Sequence, residues 1–517
     1  MKTITILLMM LAIITKISGF GRDVVLSYYY GVSNITDAYL VAITIPTVIF
    51  SFIGIGISTN LIPMYNNIKK EKGIQDAEKF INDVINFSII LCSLIVMIAF
   101  PLSGGIVRVI APGLCDQTLN LAIDFTKITI IGIYFSVGIS IFTGYLHLKK
   151  SFIAPTLMGI PLNVIMIIFI AISHNYSIQI LSIGSVLSLA FQFLFLIPFA
   201  YKQGYSYSFE LDRNNPYLKK MVLLSIPVII GVSVNQINVL IDKSIASRMI
   251  IGSISALTYA NRMNLFVKGI FISTIASLMY PTLSKMSAEN NVHGYKKTLI
   301  EAINVINLLV IPISIISMMF SEIIIKLIFG RGAFNSTAVL RTAHSLIFYS
   351  IGMIGIGHRE ILSRAFYSLQ DTKTPMINAV TGVVVNIIFN IVLSDIMGIK
   401  GLALASSIAA VSTSLLLTIS LRKKIGSFGL KNMTLSFIKI LCASIITGML
   451  SKIFYNYLIK NMFKSSLALF VSLLAGVFIY IFLVLLMKVD EVEKIVGVIK
   501  KKMRNYKKVV EVKNEDD

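Results

Sequence analysis

The sequence predicts an all-α polytopic membrane protein of about 14 transmembrane helices, arranged as two parallel six-helix lobes plus two C-terminal helices. Three observations carry this. Of 517 residues, 56% are hydrophobic and only 14% charged, with mean hydropathy +0.84, too little polar surface to cover a soluble chain of this length. Apolar runs of the ~20 residues that a helix needs to cross a bilayer recur along nearly the whole chain. The loops between them alternate between rich and poor in Lys and Arg, as the positive-inside rule requires.

The first span, 4–30, opens MKTITILLMMLAIITKISGFG, which has the Lys2, apolar stretch and small residues of a signal peptide. The run continues through RDVVLSYYYG, long enough to span, so it is read as a retained helix. Further spans follow at 37–64, 80–104, 121–146, 152–173 and 177–200, completing the N-terminal lobe, 1–201. A cytoplasmic linker, 202–219, joins it to the C-terminal lobe, 220–421, with spans at 220–248, 252–282, 298–320, 338–367, 374–395 and 399–421. Two more spans, 433–456 and 465–487, lie in 422–487, and a basic cytoplasmic tail occupies 488–517. With the N-terminus inside, the inside loops before the tail carry roughly 18 Lys and Arg against roughly 6 outside, which places both termini in the cytoplasm. The formal net charge of +22 is thereby read as topology and not as a nucleic-acid surface.

A weak internal repeat supports two related halves. GIGISTNLIPMY (54–65) and GIFISTIASLMYP (269–281) each precede a basic loop, and Leu146 and Asn163 recur at the same spacing as Leu369 and Asn386. Six helices per half make the repeats parallel, with an axis along the membrane normal and a central site between them. Gly and Pro within spans (Gly54, Gly56, Pro46, Pro227) permit close packing and kinks. Cys92, Cys115 and Cys442 suggest neither disulfides nor a metal site, and the five histidines show no ligand spacing. No phosphate-binding loop, HExxH or nucleophile elbow occurs, so the chain reads as a transporter and not an enzyme.

Ionisable groups inside spans cost at least ~2.5–3.5 kcal/mol each at a helix centre, and so mark a pathway by default. The first span holds Lys16, Arg22 and Asp23; the eighth holds Arg262 and Lys268; the tenth holds His358, Arg359, Glu360 and Arg364. An excess of cations at depth suits an anionic headgroup, since guanidinium takes phosphate bidentately. For Arg364, near a cytoplasmic end, interhelical salt-bridging or snorkelling is the better reading. A second group is Asp242 with Asn386 and Asn390, which share a helix face at i,i+4, and Ser406 on the next helix. A carboxylate among amide and hydroxyl oxygens suits Na⁺ or a protonatable coupling site. On spacing alone, the same asparagines read better as interhelical hydrogen-bonding groups.

Several segments together resemble the MurJ/MviN lipid II flippase family of the MOP exporter superfamily. They are SGFGRDVVLSYYYG with TDAYLVAITIP (18–46), YANRMNLFVKGIF (259–271), LIFGRGAFNSTAVLRT (327–342), and RAFYSLQDTKTPMINAVTGVVVNIIFNIVLS with GIKGLALASSIAA (364–410). The resemblance covers about residues 4–490. It implies a monomer in the bacterial inner membrane that moves lipid II, an undecaprenyl-pyrophosphate-linked peptidoglycan precursor, from the inner to the outer leaflet by alternating access. The helices of 422–487 would form a groove for the lipid tail. Arg22, Asp23, Asp37 and Arg262 match family positions, Lys16 stands where a family arginine often does, and Lys268 joins them as a candidate substrate contact. Some members bind Na⁺ between the seventh, eleventh and twelfth helices, where Asp242, Asn386, Asn390 and Ser406 are plausible counterparts. The chain departs from the family where an Arg-Arg pair and an acidic residue are usual: Phe50, Ser51 and Ile55 stand there, and Asn264 replaces a glutamate of some members. The alternatives keep the fold and change the cargo: another undecaprenyl-linked saccharide, or the substrate of a MATE-like ion-coupled antiporter. A multidrug antiporter calls for acidic residues, and this interior is cationic.

Overall fold

A chain this apolar must satisfy its backbone N–H and C=O groups internally, and a helix does so within one segment. The computed structural model describes residues 2–209, 212, 215–461, 463–489 and 492, and among them it contains helices and no strand. In chain order the helices are α1 (Lys2–Tyr30), α2 (Asn34–Lys72), α3 (Ile74–Ala99), α4 (Ser103–Ile110), α5 (Asp116–Thr129), α6 (Gly132–Leu148), α7 (Ile153–Leu157), α8 (Gly159–Asn175), α9 (Gln179–Lys202) and α10 (Pro216–Ser247). There follow α11 (Ser253–Val267), a π-helical turn (Lys268–Ile272), α12 (Ser273–Ala288), α13 (Val292–Met319), α14 (Ser321–Ile328), α15 (Ser336–Ser368), α16 (Lys373–Met397), α17 (Ile399–Ile425), α18 (Leu430–Lys460) and α19 (Ser465–Leu486).

Every segment expected to span coincides with a helix or an abutting pair of helices. Eleven helices among the described residues are long and apolar enough to cross a bilayer, and two bent pairs bring the number to 13. The bent pairs are α5 with α6, at 44°, and the two parts of α10, at 49° between Ile229 and Gly231. Pro227 accounts for the second, because its ring clashes with the carbonyl one turn earlier. The 29-residue α1, which carries Lys16, Arg22 and Asp23, falls outside this set. The short helices α4, α7 and α14 and the π-turn were not expected from the sequence. The basic tail lies outside the described residues except for 488, 489 and 492.

The chain divides into two units. The first comprises Met1–Arg262, Ile328–Thr342 and Asn386–Leu402. Its central element is α2, which packs on α3, α5, α6 and α10. Leu61, Met64, Tyr65 and Ile68 of α2 meet Phe80 and Ile81 of α3 and Phe142 and Tyr145 of α6 in one buried core. Gly144 makes that approach possible: a Cβ there would stand 2.7 Å from a methyl of Leu61. The linker is strapped along α3 by buried polar side chains. Asn82 accepts from the Tyr205 hydroxyl at 2.8 Å, Asn86 accepts from Tyr207 at 2.8 Å, and Asp83 accepts from the Asp212 N–H at 3.0 Å and the Asn215 amide at 2.7 Å.

The second unit comprises Met263–Leu327, Ala343–Val385 and Ala403–Asp517. Here α13 packs on α12 and α18, and α18 on α19. Lys452 of α18 donates to the Met319 carbonyl at the end of α13, 3.2 Å away, and lies 4.9 Å from the Phe320 ring centroid. This is the favourable pairing of a cation with a helix C-terminus. Helices α11, α15, α16 and α17 each contribute residues to both units, so the boundary falls within helices and not in loops.

Candidate functional site

In the first unit, Asp23 on α1 is buried, its side chain 10% exposed. Taking an isolated carboxylate out of water is prohibitive, so it requires cationic partners. It has two. Asp23 Oδ1 accepts from Arg22 Nη2 at 2.9 Å and Nε at 3.2 Å, and Asp23 Oδ2 pairs with Arg262 Nε at 3.0 Å. The arginines are more open, with side chains 25% and 36% exposed. The result is a carboxylate holding two guanidiniums, with one net positive charge. A guanidinium has five N–H donors, so both arginines keep donor capacity for an anion's oxygens.

The position of Arg262 depends on how α11 is held. Asp37, near the start of α2, accepts from the Gly252 N–H at 2.7 Å through Oδ2 and from the Ser255 N–H at 2.7 Å through Oδ1. Those amides belong to the buried start of α11, where N–H groups lack intrahelical partners and favour a negative charge. Asp37 thus pins the beginning of the helix that carries Arg262. On the same helix, Tyr259 is buried against Phe329 and Phe334, with ring centroids 5.2 and 5.6 Å away, and Phe20 of α1 reaches Phe329 at 5.9 Å. The segment carrying those phenylalanines is itself tied to α1: Ala333 N–H donates to Tyr28 O at 2.8 Å. Gly332 (φ +59°) is needed there, since a Cβ would stand 2.3 Å from Tyr28 O.

A second polar group also lies within the first unit. Asn390 Nδ2 of α16 donates to Asp242 Oδ1 of α10 at 2.6 Å and to Asn386 Oδ1 at 2.7 Å. Two oxygens therefore converge on one point, and a half-turn of the Asn390 amide would bring a third, so the set suits a hard monovalent cation. Ser406 falls in the second unit. Beside this group Lys243 donates to the Leu40 carbonyl at 2.7 Å.

Of the residues expected at the site, the structure joins Arg22, Asp23 and Arg262 directly. Asp37 acts through the backbone of α11. Lys16 occupies an exposed part of α1. Lys268 is in the second unit, where it faces Glu360 at 3.7 Å. Phe50, at the departure from the family pattern, folds over its own helix; a Cβ on Gly54 would stand 2.5 Å from its ring. Sequence reasoning placed Glu360 in its span but did not find its partners, although the i,i+4 spacing to Arg364 was a usable signal. The contact of His358 Nε2 with Asn307 Oδ1, 2.6 Å, joins residues with no sequence relationship.

Comparison with known proteins points one way. A family model described as lipid II flippase MurJ matches residues 26–488. The probable lipid II flippase MurJ of Buchnera aphidicola is 32% identical over 412 residues, covering 78% of this chain and 80% of that protein. The lipid II flippase MurJ of Burkholderia cenocepacia is 28% identical over 424 residues, covering 80% and 82%. Among solved structures, a lipid II flippase MurJ in an inward closed conformation superposes with TM-score 0.80 at 28% identity, covering 92% of this chain and 98% of that one. An inward-facing MATE multidrug transporter of the MOP superfamily gives 0.68 at 14% identity, covering 80% and 94%, a likeness of fold alone.

Proposed function

The chain belongs to the MurJ lipid II flippase family, and from that premise we propose that it carries lipid II from the inner to the outer leaflet of the bacterial cytoplasmic membrane by alternating access. It is a multi-pass membrane transporter and not an enzyme. The observation that carries the cargo assignment is the Asp23 group, two arginines held by one buried carboxylate. A pyrophosphate bears two or more negative charges and needs several donors, and guanidiniums supply them in a planar fork. Asp23 keeps both arginines oriented while no guest is present, which lowers the ordering cost of binding. Asp37 positions Arg262 by fixing the start of α11.

In this reading α1 is the fourteenth membrane-crossing helix, its charges tolerated because they face one another and the passing headgroup. Both termini are cytoplasmic and the working unit is a monomer. Na⁺ would be held by Asp242, Asn386 and Asn390, and its charge would compensate the Asp242 carboxylate. Lys16 lies along the same route.

The test is complementation of a conditional flippase-null bacterium, together with lipid II translocation in proteoliposomes. The wild-type chain restores growth and Arg262→Ala does not. A membrane-inserted, well-expressed chain that neither complements nor translocates lipid II overturns the assignment.

A further inference from the structure

The Asp23 group leaves a second set of intramembrane charges unexplained, and that set lies wholly within the second unit. Glu360 of α15 faces Lys268 Nζ at 3.7 Å through Oε2 and Arg364 Nη2 at 3.4 Å through Oε1. Arg359 adjoins Glu360 in sequence, and the Arg364 guanidinium lies 5.7 Å from the Tyr280 ring centroid. Two cations therefore face one carboxylate, with a third, Arg359, beside it in sequence. Charge-assisted N–H···O hydrogen bonds close to about 2.7–2.9 Å. The Asp23 contacts, at 2.9–3.2 Å, come near that range; the Glu360 contacts, at 3.4 and 3.7 Å, do not. Its partners stand off beyond hydrogen-bonding contact or at its edge, and the side chains of Lys268 and Arg364 are 31% and 39% exposed.

A second observation falls on the same spot. Lys268 begins the π-helical turn, Lys268–Ile272. A π-turn widens the hydrogen-bond register by one residue, which weakens the helix locally, and such turns occur frequently at functional sites. Here the register changes at the very residue that faces Glu360.

We propose that Lys268 and Arg364 form a second anion-binding station, in which Glu360 is a resident counter-anion displaced by the phosphate of an undecaprenyl-pyrophosphate lipid. The identity of the guest rests on the function proposed above; the station itself rests on the geometry. A displaced carboxylate competes with the guest, whereas a structural carboxylate supports the site. The two roles give opposite signs when Glu360 is neutralised.

The experiment measures equilibrium binding of lipid II, and separately of undecaprenyl pyrophosphate, to the purified full-length protein in detergent. Glu360→Gln should tighten binding roughly two- to fivefold, the effect of removing a half-exposed competing ion pair, and Lys268→Gln should weaken it by a similar factor. Lys268→Gln should also flatten the dependence of binding on ionic strength. Should Glu360→Gln fail to fold, the Lys268→Gln salt dependence decides the matter. Folded Glu360→Gln protein that binds as the wild type does or more weakly, or an unchanged salt dependence for Lys268→Gln, overturns the station. Wild-type protein that binds undecaprenyl pyrophosphate but not lipid II overturns the cargo and keeps the station, provided Glu360→Gln tightens it. Lipid II binding indifferent to both substitutions does the reverse.

Discussion

Replacing Asp23 by Asn keeps the size and one acceptor oxygen and removes the charge that holds two guanidiniums. The contacts at stake are the Arg22 fork, at 2.9 and 3.2 Å, and the Arg262 pair, at 3.0 Å. Removing one partner of a fully buried pair costs about 3–5 kcal/mol. Both arginines are partly exposed, so solvent compensates some of that, and about 2 kcal/mol of destabilisation is the reasonable scale. The diagnostic quantity is the coupling between Asp23→Asn and Arg262→Gln in a double-mutant cycle, read from thermal unfolding of the purified protein and from complementation. We expect a coupling of about 1–2 kcal/mol, with Asp23→Glu recovering part of the function because it restores the charge. Non-interacting sites add within about 0.3–0.5 kcal/mol. Additivity of that kind, or wild-type transport by Asp23→Asn, would refute the idea that one carboxylate organises both arginines.

Three further outcomes follow from other contacts. Asp37→Ala removes two backbone acceptor contacts at the start of α11 and should destabilise the protein by about 1–2 kcal/mol, with Asn milder than Ala, measured by thermal unfolding. Arg262→Ala should abolish complementation while Arg364→Ala is milder; the opposite ranking contradicts the site. The Asp371 carboxyl, in the loop before α16, is held down to about 2 by hydrogen bonds from Lys424 and Thr374. A depressed carboxylate stabilises the fold above its unfolded pKa of about 3.9 and loses that contribution as pH falls through its folded value. Asp371→Asn should therefore be less stable than wild type at neutral pH, and the difference should vanish as pH is lowered from about 4 to about 2 in an unfolding titration.

Most of the membrane-spanning helices were legible because apolar run length encodes them, whereas α1, with three charges in its run, falls outside that criterion. Arg22, Asp23 and Arg262 were legible as charges in costly places. That Asp23 would take a partner on another helix followed from electrostatics, since a buried carboxylate must be paired. The role of Asp37 was not legible: its partners are backbone amides of Gly252 and Ser255, and a backbone group leaves no mark in side-chain patterns. The surroundings of Lys268 were hidden for another reason. Helical periodicity assumes 3.6 residues per turn, and the π-turn at Lys268–Ile272 changes that register without a distinguishing residue type. The unit boundary between Arg262 and Met263 lies in mid-helix, where no Pro/Gly-rich linker announces it.

The strap along α3 has an implication for whether the linker must be covalently continuous. Tyr205, Tyr207, Asp212 and Asn215 are anchored to Asn82, Asp83 and Asn86 by side-chain and backbone bonds, so α10 is delivered to its place on α2 by non-covalent anchorage as well as by the peptide thread. Two genes encoding the segments on either side of the strap could then yield polypeptides that find each other in the bilayer. The docking is carried by three polar residues of one helix, Asn82, Asp83 and Asn86, and does not require an unbroken thread between the two segments.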